Sequence, residues 1–133
     1  MNNLNYVMLV DDDDDDNYFH ERVIKKVNTN IEVVTKTSGK SALYHIQEKR
    51  NENNLPGLIF LDINMPGMNG WEFLEEYNKL ANTLQSKVII IMLTTSDDAK
   101  DKAKAKEWAF VSDFINKPLN KLQFENIIAT YFP

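Results

Sequence analysis

The sequence predicts an α/β fold in which parallel strands are covered by helices on both faces, and three observations carry that expectation. The first is Leu58-Ile59-Phe60-Leu61, an apolar run that ends on Asp62 and is bracketed by Pro56-Gly57 and Pro66-Gly67. It is too short for a globular helix, and a strand without alternation is buried on both sides, as in a parallel sheet between helix layers. The second is the same design in Tyr6-Val7-Met8-Leu9-Val10, which ends on Asp11 and Asp12, and in residues 88–93, which end on Thr94. The third is that helical patterns separate such runs along the chain. A single Asp after a strand is as readily a turn former or helix cap. Parallel strands, however, bring their C-terminal ends to one edge, where open α/β sheets bind ligands.

Taken in order, Phe19, Val23 and Val27 recur at four-residue spacing with Tyr18 and Ile24 beside them, predicting a helix over 17–27 on that stripe. Its acidic start suits the helix macrodipole. Residues 31–36 are β-branched and read as a strand. Ser38-Gly39 turns into a second helix with Ala42, Leu43 and Ile46 inward and 47–50 outward, broken by the polar stretch 51–54. After the central strand, Asn69 with Glu72 three residues on forms a capping box for a third helix that buries Phe73, Leu74, Tyr77 and Leu80. Ser96 caps a fourth helix over 97–108, with Ala99 and Ala103 inside and Lys100, Lys102, Lys104 and Lys106 outside. Residues 114–116 make a short fifth strand and Lys117-Pro118 a turn. A last helix over 119–131 buries Leu122, Phe124, Ile127 and Ile128. Five βα units with short loops and right-handed crossovers fit a flavodoxin-like doubly wound sheet of order 2-1-3-4-5, as one domain over 1–133.

Composition narrows the function. At 133 residues, 43% hydrophobic and 26% charged, the chain has ordinary globular make-up and the length of one core. No run approaches the roughly 18–20 apolar residues of a membrane span, and the N-terminus lacks the basic flank and apolar stretch of a leader. A soluble, cytoplasmic protein with no membrane partner is therefore expected. With no Cys, disulfides, thiolate metal sites and cysteine nucleophiles are excluded. A net charge of −5 offers no general basic surface for nucleic acid. Six of the 20 acids lie in the run 11–16, wedged between a strand and an apolar helical pattern, so a cation is expected to sit there.

Gathered at one sheet edge, Asp11, Asp12, Asp62, Thr94 and Lys117 supply carboxylates, a hydroxyl and an ammonium. Magnesium takes oxygen ligands, keeps several waters and commonly uses one or two carboxylates plus phosphate oxygens. A carboxylate can also act as the nucleophile and form an aspartyl phosphate. The metal and the lysine would offset charge on the equatorial oxygens, with the threonine hydroxyl bonded to one of them.

With these residues in place, the chain resembles a response-regulator receiver domain of two-component phosphorelay signalling. The resemblance runs from Met8-Leu9-Val10-Asp11-Asp12 through Leu61-Asp62-Ile63-Asn64-Met65-Pro66-Gly67-Met68-Asn69-Gly70 and Met92-Leu93-Thr94 to Phe114-Ile115-Asn116-Lys117-Pro118-Leu119. It implies a stand-alone, chemotaxis-type single-domain form with no output domain, a signalling phosphoacceptor that catalyses only its own phosphoryl transfer and dephosphorylation. Asp62 is then the phosphoacceptor, taking its phosphoryl group from a histidine kinase or histidine phosphotransfer protein and signalling to a downstream protein. Asp12, Asp62 and the backbone carbonyl of Asn64 would bind Mg²⁺ directly, and Asp11 through water. Thr94 would contact the phosphoryl group, Lys117 would pair with it across a cis Lys117-Pro118 bond, and Phe114 would be the aromatic switch. The chain departs from the family pattern at Phe110, where receiver domains usually have Gly, and in Asp13 to Asp16, of which Asp13 is a candidate further ligand.

Other readings fit less well. Asp11, Asp13 and Asp15 match the first, third and fifth positions of a calcium loop, but Asp16 stands where that loop needs Gly and Arg22 where it needs Glu. A haloacid-dehalogenase-type phosphatase wants a second Asp two residues beyond the nucleophile, and Asn64 cannot transfer that proton. A pseudo-receiver acting only as an interaction module remains the alternative, although the acceptor and the acidic pair it would lack are both present. His20 and His45 read as packing or surface residues, and Trp71 and Trp108 as helix-boundary packing.

Overall fold

The computed structural model describes residues 4–51, 54–80, 88–96 and 98–133. Asp97, part of the helix-breaking stretch 51–54 and the extreme N-terminus lie outside the described residues. The elements are β1 (Tyr6–Val10), α1 (Asp14–Val27), β2 (Glu32–Lys36), α2 (Gly39–Asn51), β3 (Leu58–Leu61), α3 (Gly70–Asn78), β4 (Ile89–Thr94), α4 (Ala99–Ala105), β5 (Val111–Asn116) and α5 (Lys121–Tyr131). All strand pairings are parallel and the order is β2-β1-β3-β4-β5, as the alternation of patterns requires.

The pleat explains why the strands show no polar face. Met8 and Val10 of β1, Ile59 and Leu61 of β3, and Ile90 and Met92 of β4 point to one side, against Ala42 and Ile46 of α2 and Phe73, Leu74 and Tyr77 of α3. Their neighbours Val7, Leu9, Leu58, Phe60, Ile91 and Leu93 point to the other, against Ile24 of α1 and Phe124, Ile127 and Ile128 of α5. Alternate residues thus feed two separate apolar layers, and the central strands β1, β3 and β4 are buried on both faces, while the edge strands β2 and β5 expose Glu32, Thr35, Ser112 and Asp113.

Several boundaries and faces differ from the sequence reading. α1 starts at Asp14, because the Asp13 side chain accepts the N–H groups of Asp15 and Asp16 and caps the helix. Its inward face carries Asn17, His20 and Ile24, while Tyr18 and Phe19 are exposed. The polar inward pair is possible because His20 and Asn17 both find backbone partners. α4 is shorter than expected and is capped by Asp98 rather than Ser96, whose hydroxyl instead donates to Asp101. Ala105 is the residue it buries, and Ala99 and Ala103 face solvent. β5 extends back to Val111, and α5 begins at Lys121 behind an Asn120–Gln123 capping box, which turns Leu122 outward. At the family's usual glycine, Phe110 closes a ring cluster, with centroids 5.1 Å from Tyr77 and 5.7 Å from Trp108.

The third helix holds its expected cap, with Asn69 and Glu72 exchanging hydrogen bonds of 2.9 Å. Its first residue matters to the strand before it: a Cβ at Gly70 would stand 2.6 Å from the Asp62 carbonyl oxygen and 2.9 Å from the Ile63 Cα. Backbone cannot yield there as a flexible side chain would, so α3 packs onto the end of β3 only through glycine. Gly70→Ala is expected to cost about 1–3 kcal/mol, the scale of overpacking a tight site. Denaturant unfolding checks the loss, and amide shifts confined to Asp62 and Ile63 locate it.

Candidate functional site

The sheet changes winding direction between β1 and β3, which are neighbours although β2 separates them in sequence. Such a switch point opens a crevice at the C-terminal ends of the strands. Val10 pairs with Leu61, and the Asp62 amide donates to the Val10 carbonyl at 3.0 Å, so Asp11 and Asp62 leave adjacent strands at one level. One ligand atom each from Asp11, Asp12 and Asp62 fall within 4.8 Å of one another. Asp11 and Asp62 are buried and Asp12 faces solvent, so the cluster has one open side.

Lys117 reaches this cluster from the end of β5. Its amide donates to the Thr94 carbonyl at 2.8 Å, fixing the chain next to β4, and Lys117-Pro118 is cis. Its Nζ lies 2.5 Å from Asp11 Oδ2, 2.8 Å from Asp16 Oδ2 and 3.5 Å from Asp62 Oδ2. Burial works to lower the Lys117 pKa, but hydrogen bonds to Asp11 and Asp16 and the charge of Asp62 outweigh it and raise it, so the side chain is an ammonium. Asp11 Oδ1 accepts from the Asp13 amide at 3.0 Å. Asp62 Oδ1 accepts from the Ile63 amide at 2.9 Å.

Burial raises the Asp62 pKa, and Asp11 adds to the effect. Lys117, a hydrogen bond with Thr94 and the Ile63 amide oppose it without cancelling it. Thr94 is fully buried at the end of β4, its hydroxyl oxygen accepting from the Ser96 amide at 3.3 Å. Asn64 lies exposed two residues beyond Asp62. Phe114, paired with Met92 across β4 and β5, is partly buried against the layer that holds α2 and α3. It also borders a groove of about 450 Å³ between β5 and α5, lined by none of Asp11, Asp12 and Asp62. The carboxylates are where charge and burial conflict, and they mark the site better than the larger groove does.

The structure therefore brings Asp11, Asp12, Asp62, Thr94 and Lys117 together, with Asn64 on the adjoining loop and Phe114 one strand away. Asp13 serves as a helix cap, its Oδ1 accepting from the Asp15 and Asp16 amides. Three residues of α1 were not read from the sequence as parts of the site. Asp16 binds Lys117; Asn17 donates to the Asp11 carbonyl at 2.9 Å; His20 Nε2 accepts the Leu119 amide at 3.2 Å just beyond the cis bond. Burial, and then the Lys117 charge, lower the His20 pKa, which favours the neutral ring that acceptance requires. Only the spacing of residues 16, 17 and 20 on one helical face hinted at this.

Strands ending in acids at a switch point, faced by a lysine from the last strand, define a doubly wound domain with a charged site at its strand ends. The family model described as the response regulator receiver domain matches residues 7–129, and the chain belongs to that family, the receiver of two-component signalling. Among similar proteins, Protein PilG of Pseudomonas aeruginosa is 30% identical over 128 residues, covering 96% of this chain and 87% of that one. The hybrid signal transduction histidine kinase L of Dictyostelium discoideum is 28% identical over 96% of this chain, which spans only 7% of that protein. A two-component response regulator from Cytophaga hutchinsonii superimposes with a TM-score of 0.90 at 31% identity, covering 96% of both chains. Vibrio cholerae chemotaxis protein CheY4 does so with a TM-score of 0.75 at 25% identity, over 96% of this chain and 98% of that one. No helix among the described residues is long and apolar enough to cross a membrane.

The raised Asp62 pKa has a sign that can be tested. A group whose folded pKa lies above its unfolded value adds stability below the unfolded pKa and loses it as pH rises through the folded one. Ionised Asp62 is thus a burden on the metal-free fold at neutral pH. Without Mg²⁺, Asp62→Asn is expected to melt above wild type at neutral pH, the gap closing as pH falls through the carboxylate range. Thermal melts in chelator across that range decide it; a variant that melts below wild type at neutral pH contradicts the balance described.

Proposed function

We propose that this receiver accepts a phosphoryl group on Asp62 from the phosphohistidine of a histidine kinase or histidine phosphotransfer protein, and changes its partner-binding surface in response. The observation that carries the reading is the geometry of Asp62. It is a buried carboxylate at the switch point, close to Asp11 and Asp12 and facing an ammonium held by the last strand. The hybrid signal transduction histidine kinase L, similar in sequence over 96% of this chain, supports a kinase partner.

The chemistry follows from which atoms are free. Asp62 Oδ1 is held by the Ile63 amide, which leaves Oδ2, 3.5 Å from Lys117, to attack phosphorus. The new O–P bond forms as the donor's P–N bond breaks, and the departing imidazole keeps the electron pair and takes a proton from solvent. Lys117 and the Thr94 hydroxyl then face the phosphoryl oxygens, donating to charge that builds there in transfer. Asp11, Asp12 and Asp62 form an all-oxygen donor set with an open side, which suits a hard cation that keeps several waters. Mg²⁺ held by Asp12, Asp62 and the Asn64 carbonyl, with Asp11 reached through water, would supply positive charge against the phosphoryl oxygens. Hydrolysis restores the carboxylate and ends the signal.

Phosphorylation adds charge and strong acceptor oxygens beside a buried hydroxyl, so Thr94 is drawn toward Asp62. Phe114 carries no polar tip to satisfy, and the space vacated behind β4 is open to its ring. The phosphoryl group shifts this equilibrium only by favouring the inward ring over the outward one.

Intact mass after incubation with acetyl phosphate and Mg²⁺ is expected to show one added phosphoryl group in wild type and none in Asp62→Asn. A gain in the variant displaces the acceptor from Asp62, and no gain in either protein supports a pure interaction module. Mg²⁺ at about 100 times its dissociation constant is expected to stabilise the fold by roughly 2.7 kcal/mol, and Asp12→Ala to lose most of that rise in melting temperature. With Mg²⁺ and beryllofluoride, the Phe114 ring resonances are expected to move in wild type and to move less in Thr94→Ala. Equal responses would show that the hydroxyl and the ring are not coupled.

A further inference from the structure

The Lys117 ammonium has three donors and meets three carboxylates, two from the strand ends and one, Asp16, from the first turn of α1, 101 residues away in the chain. Asp16 is distinct within its acidic run. Asp13 caps the helix, Asp14 and Asp15 are exposed, and Asp16 is half-buried with its Oδ2 2.8 Å from Nζ. Four residues on, at the spacing that shares a helix face, His20 accepts the Leu119 amide. One face of α1 therefore grips the turn 117–119 at both ends, by the lysine head and by the backbone beyond the proline.

We propose that Asp16 is a positioning residue that holds the Lys117 ammonium in reserve and sets the balance between cation and phosphoryl binding at Asp62; this rests on the receiver reading above. A cation at Asp11 and Asp62 draws on the same oxygens that Lys117 touches, Asp11 Oδ2 at 2.5 Å among them. Lys117 can give up these contacts without losing every partner, because Asp16 remains. Asp16 thus favours the cation both by its own charge and by keeping a competing ammonium occupied. For a phosphoryl group on Asp62 the signs reverse. Asp16 then holds a donor that the phosphoryl oxygens need, and its negative charge faces theirs. The two ligands of the site should respond to its loss in opposite directions, which a general loosening of the fold would not produce.

The test measures Mg²⁺ affinity by titration calorimetry and, at saturating Mg²⁺, beryllofluoride affinity by fluorine NMR. The proteins are wild type, Asp16→Asn, Asp16→Glu and Asp14→Asn. Asp16→Asn is expected to weaken Mg²⁺ and to strengthen beryllofluoride, each about two- to fivefold, the scale of a partly exposed ion pair. Asp16→Glu is expected to restore both toward wild type, and Asp14→Asn, which removes the same charge away from Lys117, to move neither by as much. The proposal is overturned if Asp16→Asn shifts both ligands the same way or neither, or if Asp14→Asn matches it. Failure of wild type itself to take beryllofluoride with Mg²⁺ overturns the receiver reading, a separate result.

Discussion

The ammonium of Lys117 among the carboxylates of Asp11, Asp16 and Asp62 is the contact around which this molecule is arranged. The Lys117, Asp11 and Asp62 side chains keep only 9%, 7% and 8% of their exposure, so three charged groups have left water together. Unpaired, any of them would carry a desolvation penalty of several kcal/mol. Paired, they require β1, β3 and β5 to end at one edge and the chain after β5 to turn back toward β3. Central strands buried on both faces leave only their ends for polar chemistry, and the lysine makes an acidic end compatible with burial.

That arrangement is stable without being optimal. Asp62 carries a raised pKa despite its lysine, its threonine and its backbone donor, which means the surroundings do not fully satisfy its charge. A site that leaves negative charge unsatisfied in its resting state has something to gain from a cation. The apolar layers on either side supply stability that the site withholds, a common division between scaffold and function.

The acidic run shows how context divides identical residues. Asp11 and Asp12 belong to the strand end, Asp13 to the helix cap, Asp14 and Asp15 to the solvated first turn favoured by the helix dipole, and Asp16 to the lysine. A change from extended backbone to helix at residue 14 is enough to send neighbouring carboxylates in different directions. The alternation in the strands works the same way, with adjacent apolar residues serving separate layers.

The strand and helix order, the parallel sheet and the gathering of Asp11, Asp12, Asp62, Thr94 and Lys117 were legible in the sequence, because runs of apolar residues, turns and strand-end polar groups are local signals. The capping box at Asn69 was legible for the same reason. Helix faces were less so. On α1 the apolar stripe held at Val23, Ile24 and Val27, which pack on the core, but Tyr18 and Phe19 turned outward and Asn17 and His20 inward, where the Asn17 amide nitrogen donates to the Asp11 carbonyl and His20 accepts the Leu119 amide. Leu122 and the α4 residues Ala99 and Ala103 went outward, with Ala105 buried instead, in helices that begin at the caps Asn120 and Asp98 rather than where the sequence suggested. The part of Asp16 was decided by tertiary structure alone: its partner lies 101 residues away, and only the doubly wound sheet carries Lys117 across to it.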